Sequence, residues 1–212
     1  MIDLNKKKLL IFDCDGVLID STAANAAYFD HCLERAGYPP LDAKYREQAA
    51  FMSIQQLIRT VFGETDESER VYNLSKRVSY APFLDTIELK FNFADVLGSL
   101  RKRFYLAVAS NRGKSLVSLF SHFHLFDYFH FKISAIEAEA KPSPDMLNRC
   151  VDYFGVNQGE SVFFGDAKSD LLAARAAGVD YCWVGRAAEE PNIGSVSDLP
   201  EIIECGGIIR PL

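Results

Sequence analysis

Lys8-Leu9-Leu10-Ile11-Phe12-Asp13-Cys14-Asp15-Gly16 carries an unbroken apolar run straight into two carboxylates and a glycine. Such a short run reads as a strand buried on both faces, the habit of parallel sheets covered by helices. Three further runs end in the same manner: Phe104–Ala109 before Ser110-Asn111, Ser161–Phe164 before Gly165-Asp166, and Val179–Val184 before Gly185. Phe129–Ile133 is a weaker fifth. Helical spacing fills the intervals, roughly Ala94–Arg103, Lys114–Phe123, Pro144–Phe154 and Lys168–Ala177, with Gly178 closing the last as its C′ residue. The alternation predicts an α/β fold, a Rossmann-like parallel sheet core flanked by helices. Ligands of such sheets bind beyond the carboxyl ends of the strands, where each of these polar clusters falls.

About eighty residues separate the first strand from the second, far more than a crossover needs. Asp20 or Ser21 can cap a helix whose Ala26, Phe29, Leu33 and Ala36 form an apolar stripe, ended by Gly37 and Pro39-Pro40. Helical stretches follow near Ser53–Phe62 and Glu67–Tyr80. The expected organisation is a catalytic core of residues 1–20 and 82–212, with a small helical cap, residues 21–81, inserted after the first strand.

The 212 residues are 49% hydrophobic and 25% charged, which allows a sizeable core and argues against disorder. A net charge of −6 speaks against nucleic acid and anionic membranes, and for a small partner. The apolar run after Lys6-Lys7-Lys8 breaks at Asp13 and Asp15, too soon for a signal peptide or a membrane span, so the expected location is the cytoplasm. Cys14, Cys32, Cys150, Cys182 and Cys205 are odd in number, widely spaced and without a C-x-x-C pair, the pattern of reduced thiols. His122 and His124 have no partner cluster in the sequence.

Asp13 and Asp15, two apart at a strand end, face one side if extended geometry persists; so close a pair wants a cation or a proton between its members. Alone, the tetrapeptide is equally a turn with an Asx cap. Gly165-Asp166-Ala167-Lys168-Ser169-Asp170 adds two carboxylates on one side of a first helical turn, either of which reads alone as a helix cap. Four acids at two strand ends are harder to dismiss, and an oxygen-only set favours Mg²⁺ over zinc. In Lys141-Pro142-Ser143-Pro144-Asp145, Ser143 suits an N-cap and Pro144 the first helical position, so Lys141 is aimed from a stiff loop. Ser110 and Asn111 offer a hydroxyl and an amide to an anionic oxygen. Together these groups suit phosphoryl transfer, in which a carboxylate nucleophile divides hydrolysis into two easier steps.

The four motifs, Asp13-Cys14-Asp15-Gly16, Ser110, Lys141 and Gly165-Asp166-Ala167-Lys168-Ser169-Asp170, resemble in kind and order those of the haloacid dehalogenase superfamily. Phe12–Ser21 and Lys141–Asp145 look especially like the subgroup containing phosphoglycolate phosphatase and β-phosphoglucomutase. The resemblance implies a Mg²⁺-dependent phosphatase acting on a small phosphorylated metabolite. It implies Asp13 as nucleophile, Asp15 as general acid and base, Ser110 on the phosphoryl oxygens, Lys141 offsetting charge on Asp13 and the phosphate, and the metal on Asp13, the Asp15 carbonyl and Asp166, with Asp170 orienting the metal's shell. Asp15 argues against the dehalogenase and phosphonatase branches, which lack that second acid. Arg46 and Arg59 are candidates for a substrate's far anionic group. A phosphomutase shares this machinery, and a phospho-acceptor signalling module shares its residue types, though a receiver is shorter and places its acceptor after the third strand.

Overall fold

The structure, a computed structural model, describes residues 1–46, 49, 52–185 and 190–211. Strand β1 (Ile2–Asp3) and the wholly buried β2 (Leu9–Phe12) come first, then the short β3 (Ile19–Asp20). Helices α1 (Thr22–Arg35), α2 (Ala43–Arg46), α3 (Ile54–Phe62) and α4 (Asp66–Ser75) follow, and β4 (Glu88–Leu89) ends the excursion. Next come α5 (Phe93–Leu100), β5 (Tyr105–Ser110), α6 (Ser115–His122), β6 (Phe131–Ser134), α7 (Asp145–Phe154), β7 (Ser161–Gly165) and α8 (Lys168–Ala177). The chain closes with β8 (Asp180–Val184), β9 (Asn192–Ile193), α9 (Leu199–Glu204) and β10 (Ile208–Ile209), the last pairing with β1.

Six strands form one sheet in the order β6-β5-β2-β7-β8-β9, every described pair parallel. The opening apolar run is therefore an interior strand between β5 and β7, with Phe12 level with Val108 on one side and Phe164 on the other. This register puts the residues after β2, β5 and β7 at one edge. Below them Leu9, Ile11, Ala107, Ala109 and Phe163 pack under Met146 and Leu147 of α7 and Ala173 and Ala174 of α8. Each fully buried Leu, Ile, Phe or Met among them stabilises the fold by roughly 1.5–3 kcal/mol. Gly178 ends α8 at φ +69°, in the left-handed conformation expected of a C′ glycine.

The chain divides into two compact units, Met1–Ile19 with Leu89–Leu212, and Asp20–Glu88. The second unit runs on to Glu88 where the sequence placed its end at Ala81. The reason is aromatic: Phe83, in the 3-10 segment Ala81–Thr86, lies 5.7 Å edge-on from Tyr28 of α1. Its own core is Phe29, Leu33, Leu41, Leu57, Ile58 and Val71. Ser53 starts α3 with a reciprocal capping box to Gln56, and Thr65 starts α4. Asp20 Oδ1 accepts the Thr22 amide at 2.9 Å. Arg46 is engaged by Asp30 at 2.6 Å, and Arg59 is exposed on α3. Among the described residues no helix is long and apolar enough to cross a membrane.

Candidate active site

Asp13 stands one residue beyond β2, and its amide donates to Phe164 O at 2.8 Å, carrying the ladder one step past the strand. Its Oδ1 accepts the Cys14 amide at 2.7 Å and lies 2.8 Å from Lys141 Nζ. Cys14 points into the core and is fully buried. Lys141 Nζ also lies 2.7 Å from Asp170 Oδ1, with the lysine and Asp170 side chains 2% and 1% exposed. One buried cation thus sits between two buried carboxylates.

The loop carrying Lys141 is held by Asn111, whose Oδ1 accepts the Lys141 amide at 2.7 Å while its Nδ2 donates to Lys141 O at 3.0 Å. Asn111 therefore fixes the lysine's main chain, a role beyond the substrate contact that the sequence suggests. Ser143 Oγ accepts the Asp145 amide at 3.3 Å, the capping bond expected of it, although the regular helix begins only at Asp145. Ser110, all but fully buried at the end of β5, accepts the Arg112 amide at 3.2 Å.

Two glycines allow the acids to converge. A Cβ on Gly165 would lie 2.6 Å from Asp170 Cβ, so only glycine lets the first turn of α8 fold back on β7. A Cβ on Gly16, at φ +75°, would lie 1.7 Å from Asp166 Oδ2. Asp170 Oδ2 accepts the Ala167 amide at 3.1 Å and so fixes that turn. As a result Asp13, Asp166 and Asp170 each offer one carboxylate oxygen within 4.8 Å of the others. Asp15 is not in this group. Its carboxylate is taken by Arg112, which donates Nε to Oδ2 at 2.7 Å and Nη2 to Oδ1 at 2.6 Å.

Arg112 is the residue that sequence reasoning missed, along with Lys90, whose Nζ donates to Gly16 O at 2.7 Å. Neither carries a local signal, since each meets its partner across more than seventy residues of chain.

Burial pushes the Asp13 carboxyl well above the usual range, Lys141 pulls it down, and Asp170 and Asp15 push it up again. Asp166 is raised from 3.8 to about 6, by burial first and then by Asp170. Burial alone would lower Lys141, but Asp13 and Asp170 outweigh it and hold the ammonium above its ordinary value. Three carboxylates thus converge where one buried lysine pairs with two of them, an arrangement short of positive charge. The donors are all oxygens, with no histidine or cysteine in the group. That chemistry fits a hard dication such as Mg²⁺.

Residues 10–184 match the family model for haloacid dehalogenase-like hydrolases. A phosphoglycolate phosphatase of Neisseria meningitidis is 30% identical over 177 residues, covering 79% of this chain and 75% of that protein. The crystal structure of a subfamily IA, variant 1 hydrolase of that superfamily from Geobacter sulfurreducens aligns with a TM-score of 0.75 at 25% identity, over 93% of this chain and 97% of that one. A β-phosphoglucomutase from Clostridium difficile aligns with a TM-score of 0.74 at 19% identity, over 93% and 96%; this second likeness bears on the fold alone.

Proposed function

The chain belongs to the haloacid dehalogenase-like hydrolase family, and from that premise we propose that it is a magnesium-dependent phosphatase of a small phosphate monoester. The observation that carries the reading is the placement of Asp13 at the end of an interior strand, 2.8 Å from Lys141 and within 4.8 Å of Asp166 and Asp170. Asp13 is the nucleophile: its carboxylate oxygen bonds to phosphorus as the ester P–O bond breaks, leaving an aspartyl-phosphate. Asp15 gives a proton to the departing alkoxide and takes one from the water that then attacks phosphorus, returning Asp13 and releasing phosphate. Lys141 offsets negative charge on Asp13 and on the phosphoryl oxygens, and Ser110 gives one of those oxygens a hydrogen bond.

Asp13, Asp166 and Asp170 would hold Mg²⁺, which when bound offsets phosphoryl charge. We assign the helical unit Asp20–Glu88 the role of cap, the part that selects the substrate. The substrate class is a small phosphorylated metabolite; 2-phosphoglycolate heads the panel because phosphoglycolate phosphatases stand among the relatives. Phosphate release from such a panel, with Mg²⁺ and with chelator, tests the reading. Mg²⁺-dependent release supports it, and full release from metal-stripped protein contradicts it. Isomerisation of a hexose phosphate with negligible phosphate release identifies a mutase instead.

A further inference from the structure

We propose that Arg112 is a positioning residue for Asp15, fixing its carboxylate as the acceptor for the water proton when the aspartyl-phosphate is hydrolysed. The inference rests on the phosphatase reading. Asp15 stands three residues past the end of β2, where the ladder no longer orients it; its nearest regular pairing is an isolated bridge to Ile19. Its side chain needs a second anchor.

Arg112 supplies one. Its fork meets both carboxylate oxygens, at 2.7 and 2.6 Å, and a bidentate pair of this kind removes rotation that a single bond would leave. The arginine is itself held from several directions. Its amide is on Ser110 Oγ at 3.2 Å, its carbonyl accepts Ala135 N at 3.1 Å, and Nη1 reaches Ser115 Oγ of α6 at 3.5 Å. The arginine side chain is 7% exposed and that of Asp15 25%, so the guanidinium is the buried partner and the carboxylate keeps an open side. Both oxygens accept an N–H from the fork, which favours the ionised carboxylate. This ionised, acceptor-only state is the one required when water attacks: the water O–P bond forms, the Asp13 O–P bond breaks, and the water proton passes to Asp15. A lysine offers no planar fork and should restore the geometry only in part.

Removing the fork should therefore slow hydrolysis of the intermediate more than its formation. The probe is 4-nitrophenyl phosphate with Mg²⁺, whose good leaving group needs little help from an acid. Arg112→Met is expected to release a burst of nitrophenolate near one equivalent and then turn over about 100-fold more slowly, with phosphoprotein accumulating in acid-quenched samples. Arg112→Lys should fall between the two. Unchanged turnover overturns the proposal, as does loss of burst and turnover together in a variant that melts like the wild type. A crystal structure of Arg112→Met gives an answer independent of turnover: a turned Asp15 carboxylate supports the proposal, and an unturned one overturns it. If the wild type never phosphorylates Asp13, the phosphatase reading fails, whereas the crystal structure still judges the hold of Arg112 on Asp15.

Discussion

Lys141→Met replaces the cation at the centre of the site with an apolar chain of similar length. The wild-type ammonium lies 2.8 Å from Asp13 and 2.7 Å from Asp170, and the three side chains are 2%, 12% and 1% exposed. Breaking a buried pair by removing one partner costs about 3–5 kcal/mol, because the charge left behind has neither water nor partner. In a chain of this size that is a fall in melting temperature of roughly 10 °C. The loss depends on pH. Asp13 and Asp166 already titrate above their ordinary values, Lys141 opposes both shifts, and its removal raises them further. A carboxyl raised in the folded state contributes stability at low pH that is lost as pH climbs through its folded value. The deficit relative to wild type should therefore be smaller at pH 5 than at pH 7.5. Turnover should fall by about 10²–10³, the usual effect of deleting one charge-stabilising donor. Circular dichroism melts at the two pH values, together with phosphate release, test this. A variant that melts and turns over like the wild type at pH 7.5 would refute the reasoning.

Asp166→Asn removes a carboxyl raised from 3.8 to about 6, so metal-free wild type should lose stability relative to the variant as pH rises from about 4 through 6, and Mg²⁺ should reverse the order. A gap between their melting temperatures that ignores pH contradicts this. Gly16→Ala forces a Cβ to within 1.7 Å of Asp166 Oδ2 at φ +75°; Mg²⁺-induced stabilisation should shift to at least about tenfold higher concentration, read by thermal titration. Asn111→Ala frees the Lys141 main chain, and kcat should fall by about tenfold or more with KM little changed, since no substrate contact is assigned to the amide.

The interior strands were legible because each combines burial on both faces with an abrupt polar end, and β2, β5 and β7 lie within a residue or two of their expected limits. The two-residue β9 and the β1–β10 ribbon were not, for they are too short to have a period and are fixed by distant partners. The boundary at Ala81 rested on local helical pattern, whereas the unit's end is set by Phe83 packing on Tyr28. At the site, Asp13, Lys141, Asp166 and Asp170 announced themselves by position at strand ends or before a helix. An amide at a strand end, as at Asn111, suits a substrate oxygen or a helix cap, and its paired bonds to the Lys141 main chain, 30 residues on, leave no local signal. Arg112 was invisible for a different reason: an arginine in a loop reads as a solvated cation, and its partner lies 97 residues away.

The central claim is that the phosphoryl group passes through Asp13. A single turnover in ¹⁸O-labelled water, followed by mass spectrometry of the peptide containing Asp13, tests it most directly. Water attacks phosphorus, so the account predicts one labelled oxygen in the phosphate released in that turnover, with Asp13 keeping its original oxygens, and +80 Da on that peptide when the intermediate is trapped by acid. Release of phosphate with no phosphorylated Asp13 at any time point, or label in the Asp13 carboxylate, would contradict it.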